Sequence, residues 1–395
     1  MNETEFLALL SPAGQDALYA AMGLQPREKD FLRLYQTLAK RYPRELARTA
    51  LETAILRGQA QSKFPQAQKM YFTREPLEQA SVYEVAAHRA KRYRGCELIA
   101  DLGCSIGGDT IALAEVAPAV GLDRDPLRLL MARENLRGLG LQADFIQTDL
   151  AVSLPLRRNP HTGLFFDPAR RKNGRRIKSV QRYIPPLGAI IDWRSRFPAI
   201  GVKISPGVNL HELSAYDAEV EFVSLHGELK EAILWFGPLK DGQRRATVLP
   251  GRHTLADDLS PLPSARRLPP TLSQPQRFFY EPDPAVIRSG MVRTLMAHLG
   301  AAQIDEEIAY LTADEEVETP FARVWEVEDW FPFQLKRLRA YLRERKVGQV
   351  TVKKRGSPIV PEDLIRNLRL DKENPEKRVV FLTQMRSNPI VVVCF

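Results

Sequence analysis

Apolar residues recur at three- and four-residue intervals from Glu3 to about Lys69, first Phe6, Leu9 and Leu10, then Phe31, Leu32, Leu34 and Tyr35, then Ala47, Ala50, Leu51 and Ile55. That spacing predicts a small helical domain. From about Met70 to Pro250, short apolar runs alternate with helical patterns, which predicts a parallel sheet covered on both faces. Strands are expected at Leu98 to Ala100, Ala119 to Leu122, Ala143 to Ile146, Gly163 to Phe166, Ala189 to Asp192 and Ile200 to Ile204. Two further runs, Glu219 to Leu225 and Glu231 to Phe236, are separated only by His226 to Lys230. So short a link cannot make a parallel crossover, so the two must be antiparallel neighbours.

Beyond Pro250 the pattern loosens. Pro261, Pro263, Pro269, Pro270 and Pro275 read as a linker or irregular arm. After it come a helix around Pro284 to Leu299, a mixed region, a basic helix near Phe333 to Arg345, and strands at Gln349 to Lys353, Val379 to Thr383 and Ile390 to Phe395. The expected segments are 1–70 helical, 71–255 α/β, 256–325 linker with mixed α+β, and 326–395 a small α+β module.

Composition narrows the class. With 44% hydrophobic and 27% charged residues in 395, the chain is long enough for two or three ordinary globular domains. Cys96, Cys104 and Cys394 form no CxxC pair, and the six histidines show neither HxH nor HExxH spacing. No disulfide framework and no metal are expected. The acidic residues in Met1 to Leu10 and the lack of an apolar run of membrane-spanning length point to a cytoplasmic protein. Charge is concentrated: Arg157 to Arg196 holds eleven Lys and Arg against two Asp, an excess equal to the net charge of the whole chain, +9. A second basic cluster runs from Lys336 to Arg355. Such patches suit a polyanion, because neutralising phosphates releases counterions.

The chemistry is carried by Leu98 to Asp109, LIADLGCSIGGD. A strand ends at Asp101, the chain turns through Gly103, Gly107 and Gly108, and a helix begins near Thr110. A dinucleotide fingerprint needs its second glycine bare so that backbone can touch a pyrophosphate, and here that position is Ser105. A ligand without phosphates tolerates the serine, and S-adenosylmethionine is such a ligand. Asp123 follows the second strand, 22 residues after Asp101, where a carboxylate can accept from both ribose hydroxyls. Asp125 and Pro126 read as the cap and first-turn proline of the next helix. Asp149 ends the third strand and is placed for the adenine amino group. Asp167, followed by Pro168, ends the fourth at the carboxyl edge where ligands bind in open α/β sheets. Lys203, an unusual lysine in a parallel strand, is expected to pair with Asp167. Cys104 is expected to be a buried small residue and no nucleophile. Neither a GxxxxGK[ST] loop nor a GxSxG elbow is present.

The run DLGCSIGGDTIALA resembles the cofactor motif of class I methyltransferases, particularly the trimethylguanosine synthase-like group. FFDPARR, VKISPG, GELKEAILWFG, YEPDPAVIR, AYLTAD, PFARVWEV and GQVTVKKRG are similar to the bacterial members that carry a C-terminal THUMP-like domain. The resemblance covers about Tyr71 to Phe395. It implies a Rossmann-like, seven-stranded sheet with an antiparallel final hairpin, S-adenosylmethionine as cofactor, and RNA as partner, since THUMP modules bind RNA. It also implies roles: Asp101, Gly103, Ser105 and Gly107 at the methionine end, Asp123 at the ribose, Asp149 at the adenine, Asp167 beside the transferable methyl, and Thr73, in FTRE, closing over the cofactor.

Asp167, Pro168, Ala169, Arg170 departs from the pattern of amino-directed enzymes, which place two prolines and an aromatic here. Stacking on a base would then fall to Phe165, Phe166 or Trp193. Arg170, Arg171 and Lys172 suit a phosphate beside the target atom, and Lys353, Lys354 and Arg355 suit a phosphate contact in the C-terminal module. Two other readings stand beside an RNA methyltransferase: a non-catalytic RNA-binding protein with a regulatory cofactor pocket, and a dehydrogenase, which Ser105 and the final hairpin disfavour.

Overall fold

The structure, a computed structural model, describes residues 1–172, 175–177, 179–256 and 271–395. Two compact units divide the chain: Met1–Glu221 with Lys230–Asp241, and Phe222–Leu229 with Gly242–Phe395.

The first unit opens with helices α1 (Glu3–Leu10), α2 (Pro12–Gly23), α3 (Phe31–Leu38) and α4 (Arg44–Ala60), followed by α5 (Arg74–Gln79) and α6 (Tyr83–Ala90). Asn2 starts α1 with a complete capping box, its side chain accepting from Glu5 N while Glu5 accepts from the Asn2 N–H. Phe6, Leu9, Leu34, Leu51 and Ile55 are buried and pack in one core with Phe64, Phe72, Ile106, Met131 and Leu136. The helical region therefore shares its core with the elements that form the site.

The α/β portion runs β1 (Leu98–Leu102), α7 (Gly108–Ala114), β2 (Ala119–Asp123), α8 (Pro126–Gly138), β3 (Asp144–Gln147), β4 (Thr162–Phe166), α9 (Ile190–Arg194), β5 (Ala199–Ile204), β6 (Glu219–Leu225) and β7 (Glu228–Phe236). These strands lie in the order β6-β7-β5-β4-β1-β2-β3. β1 pairs in parallel with β2 and β4, β2 with β3, and β4 with β5, while β5 and β7 are antiparallel. The chain steps outward from β1 through β2 to β3 and then returns to β4 on the other side of β1. That reversal leaves a crevice at the carboxyl ends of β1 and β4.

Two expectations need correction in the α/β portion. Ala189 to Asp192 is not a strand: Ile190 and Trp193, three residues apart, are both buried, and the segment is α9. The final hairpin is tighter than expected, with β7 starting at Glu228 and only His226 and Gly227 between the strands, at φ 52° and 78°. Two successive positive φ values give the turn whose twist matches paired strands.

In the second unit β8 (Arg244–Leu249) and β9 (His253–Ala256) form an antiparallel pair. A second sheet is built from β10 (Phe278–Pro282), β11 (Ala302–Gln303), β12 (Leu311–Ala313), β13 (Ala322–Pro332), β14 (Val347–Lys354), β15 (Glu376–Met385) and β16 (Asn388–Cys394), in the order β11-β12-β10-β13-β16-β15-β14. The expected linker thus contains strands at His253–Ala256 and Phe278–Pro282, and Pro261, Pro263, Pro269 and Pro270 lie outside the described residues. The expected helix from Pro284 to Leu299 is two, α10 (Pro284–Ser289) and α11 (Val292–Leu299), broken at Gly290, whose φ of 75° ends the first. The basic helix is α12 (Leu335–Glu344), and α13 (Pro361–Leu368) follows it; both bury leucines against β14 and β15.

One buried side chain joins the helical region to the site. Asn135 of α8 accepts from Tyr71 N at 2.6 Å and donates to the carbonyls of Tyr71 at 3.1 Å and Ile106 at 2.9 Å. Asn135→Ala leaves three backbone groups without partners, two of them at buried Tyr71. It should cost about 3 kcal/mol of unfolding free energy, read as a lowered urea midpoint; a midpoint equal to that of the unaltered protein contradicts this role.

Candidate active site

Between β1 and α7 the chain turns through Gly103, Ser105 and Gly107, whose φ values are 89°, 51° and 81°. A Cβ on Gly103 would stand 3.1 Å from the Asp167 carbonyl oxygen, so the close approach of the β4 end also demands glycine there. Ser105 keeps its left-handed conformation because its N–H donates to Asp123 Oδ2 at 2.9 Å. Asp123 Oδ1 accepts from Asp125 N at 3.0 Å, and Asp125 caps α8 by accepting from Arg128 N at 3.2 Å. Asp123 ties the ends of β1 and β2 together, and each of its oxygens keeps a further lone pair.

A cavity of about 440 Å³ opens at this crevice. Gly103, Cys104, Ser105 and Ile106 form one side, Asp123, Arg124 and Arg128 the next, and Thr148 and Asp149 the end beyond β3. Phe166, Asp167, Pro168, Ala169 and Arg170 form the opposite side, faced by Ile184 and Pro185. Pro76, Glu78, Gln79 and Ala80, from α5 and the turn after it, close a further wall.

The sequence-predicted residues divide here. Gly103, Ser105, Asp123, Asp149, Asp167, Pro168 and Arg170 line the cavity. Asp149 is exposed and its Oδ1 accepts from Ala151 N at 2.9 Å. Asp101 does not line it: β1 continues to Leu102, so Asp101 is inside the strand, 1% exposed, with Thr110 Oγ1 donating to its Oδ2 at 2.5 Å. Burial first, then the neighbouring Asp109, pushes its carboxyl well above the usual carboxylate range. Gly107 is also outside the wall, packed against Ala132 and Leu136 of α8, and Thr73 precedes α5 without capping it. Arg171 and Lys172 form a two-residue ribbon with Arg175 and Arg176, and their side chains lie outside the described residues. Cys104 is 4% exposed, and burial pushes its thiol well above the ordinary value.

A group of charges, of which Asp109 and Asp167 line the cavity, lies at its edge. Lys203 Nζ, in β5, donates to Asp167 Oδ2 at 2.7 Å and to Ser81 Oγ at 2.9 Å. Arg89, 1% exposed, pairs with both Asp109 and Glu231 and lies over the Phe165 ring at 4.3 Å. Burial works against every one of these charges, but the partners win. Lys203, Arg170 and Arg89 hold the Asp167 carboxyl below its ordinary value, and Asp167, Asp109 and Glu231 hold Lys203 above its own. Arg89, Ser81, Asp109 and Glu231 were missed by sequence reasoning. The one available signal was an arginine in the apolar stripe formed by Val85, Ala86, Ala90 and Tyr93.

None of the three expected rings is free to stack on a base. Phe165 is 0% exposed under Arg89, and Trp193 meets Phe166 edge-on at 5.0 Å. Phe166 alone touches the cavity, at 1% exposure. In the second unit, Lys353 pairs with Glu281, Arg355 Nη1 donates to the Ala309 carbonyl at 2.9 Å, and Lys354 is exposed. Among the described residues no group of three His, Cys, Asp or Glu could hold a metal, and no helix is long and apolar enough to cross a membrane.

This donor set fits S-adenosylmethionine. Asp123 offers acceptors for a ribose diol beside a glycine turn with no pyrophosphate cradle. Comparisons with known proteins agree. Residues 322–395 match the family model described as THUMP domain-like, and residues 3–60 match a domain of unknown function (DUF8688). The chain is 37% identical, over 336 residues, to an uncharacterized S-adenosylmethionine-dependent methyltransferase of Mycobacterium tuberculosis found in two strains. That alignment spans 82% of this chain and 90% of the relative. In fold it is similar to the crystal structure of a protein from Porphyromonas gingivalis W83 assigned as a methyltransferase, with a TM-score of 0.77 at 20% identity over 93% of this chain and 98% of that one. The chain belongs to the S-adenosylmethionine-dependent methyltransferases and carries a THUMP-like domain at its C-terminus.

Proposed function

We propose that this methyltransferase modifies RNA, with Asp167 receiving the nucleophile. The observation that carries the reading is Asp167 itself, a carboxylate at the carboxyl end of β4 that lines the cavity while Lys203 keeps it ionised. The RNA assignment is supported by the THUMP domain-like match at 322–395, by Arg170 on the cavity wall and by the excess of Lys and Arg from Arg157 to Arg196. The division into segments 1–70, 71–255, 256–325 and 326–395 belongs to the same reading. A cytoplasmic location is supported by three free cysteines.

S-adenosylmethionine, when bound, supplies an electrophilic methyl group. Gly103 and Ser105 would hold its methionine end, Asp123 its ribose and Asp149 its adenine amino group. Pro168 and Ala169 set the backbone after Asp167, since Ala169 N and O exchange hydrogen bonds with Ile184 O and N at 3.0 and 3.1 Å. A carboxylate held below its ordinary pKa is a weak base. Asp167 therefore acts as a hydrogen-bond acceptor that orients the nucleophile, and positioning supplies most of the rate.

Four outcomes are expected. Asp123→Ala should raise the dissociation constant for S-adenosylmethionine at least tenfold in calorimetry, and an unchanged constant removes Asp123 from the ribose. Asp167→Asn should bind cofactor within about threefold of wild type and turn over about tenfold to a hundredfold more slowly. The depressed carboxyl of Asp167 contributes stability above its unfolded pKa of about 3.9, which is lost as pH falls through the lower folded value, while the raised Lys203 contributes below about 10.4 and loses it as pH rises through its folded value. Turnover should then show no Asp167-dependent acid limb above about pH 5; an inflection near neutrality that vanishes in Asp167→Asn contradicts the assignment. For the substrate, label from methyl-labelled S-adenosylmethionine should enter total RNA taken from cells lacking this protein. Transfer only to protein or small molecules refutes RNA, and binding of RNA without transfer favours the non-catalytic reading.

A further inference from the structure

The wall of the cavity made by Pro76 to Ala80 comes from the short helix α5, whose last carbonyls have no helical partners. Lys63, in the turn that follows α4, reaches this end. Its Nζ donates to the carbonyls of Leu77 at 2.8 Å, Glu78 at 2.9 Å and Ala80 at 3.0 Å. An ammonium has three protons, and all three are used on carbonyls within the four residues from Leu77 to Ala80. The Lys63 carbonyl in turn accepts from Tyr83 N at 2.8 Å, so the segment from α5 to the start of α6 is held at both ends by one residue. From the other side, Ser81 accepts from Lys203 Nζ, the same ammonium that bonds Asp167. The side chain of Lys63 does not line the cavity, whereas Pro76, Glu78, Gln79 and Ala80 do.

We propose that Lys63 is a positioning residue for the cofactor site, a three-point clamp through which the helical region holds the α5 wall against the glycine turn. Its neighbour Phe64 strengthens the case: that ring lies 3.3 Å from where a Cβ on Gly108 would stand, so the same turn that carries the clamp also packs on the first residue of α7. The helical region, through its final turn, is thus part of the cofactor site. A lysine serving only as a surface charge would have no reason to place three donors on main-chain oxygens, each within 3.0 Å.

The test uses the full chain with Lys63→Met and the milder Lys63→Gln, which keeps two donors. Amide hydrogen exchange in the cofactor-free proteins should accelerate across residues 74–81 at least tenfold in Lys63→Met and less in Lys63→Gln, with the amides of β1, β2 and β4 unchanged. Calorimetry should show S-adenosylmethionine binding at least tenfold more weakly to Lys63→Met, and ethylammonium added to Lys63→Ala should recover most of that affinity. Unchanged exchange at 74–81 overturns the clamp whatever the ligand does. Accelerated exchange with a dissociation constant within twofold of wild type overturns the positioning role. Should Lys63→Met not fold, the same two thresholds are read on Lys63→Gln, with a threefold change in each as the dividing line.

Discussion

The contact on which the site most depends is the ion pair between buried Lys203 and Asp167, whose side chain keeps 23% of its surface exposed at the cavity. Taking a carboxylate and an ammonium out of water costs several kcal/mol per ion, and attraction offsets that cost only when geometry is good and the remaining donors and acceptors are satisfied. Here Lys203 also reaches Ser81, and Arg89 nearby is held by Asp109 and Glu231. The members come from β4, β5, β7, α6, α7 and the turn before α6. None can be paired until the sheet order is complete, so a wrong register would strand charges in the core. The same pairing that permits Asp167 to be ionised at the cavity also makes the completed fold its precondition.

This explains which parts of the site were legible in the sequence. The place of Asp123, Asp149 and Asp167 on the cavity wall could be read because strand ends follow from hydrophobic patterning, and Asp125 with Pro126 because capping is local. Ser105 was legible as a missing glycine. Arg89, Ser81, Glu231 and Lys63 were not, because what each does is decided by residues distant in the chain or by a neighbouring helix end. Asp101 is a different case. Its place in the motif suggested a ligand contact, but β1 runs one residue past it, and a residue inside a central parallel strand is shielded by the layers on both faces. The α9 error has a similar source, since paired isoleucines suit a buried strand and a buried helix equally well.

Net charge read from composition overstates how much of it faces a partner. In the basic cluster from Lys336 to Arg355, Arg339 and Arg343 donate to the carbonyls of Asn367 and Arg369 at the end of α13. Arg345 pairs with Glu328 at 2.9 Å, and Arg337 lies over Phe331 at 4.3 Å. These side chains close a helix end and cover a core, work that an arginine fork performs well. Exposed lysines such as Lys336, Lys346 and Lys354 remain facing outward. A compact basic turn in sequence is therefore a weaker sign of phosphate contact than the same residues left without internal partners.

The packing of Phe165, Phe166 and Trp193 bears on how an acceptor is held. Enzymes that stack a base on an aromatic gain affinity from the ring and direction from the acid. In this cavity Phe165 is spent under Arg89 and Phe166 is edge-packed on Trp193, while the lining near Asp167 includes Ile184, 38% exposed, and Pro185. Ile184 owes its place to the backbone bridge with Ala169, which also fixes the residues after Asp167. Acid and apolar surface are therefore set by one bridge and move together. An aliphatic wall cannot supply the face-on attraction of a ring, so a planar group on that side of the cavity meets apolar contact without stacking.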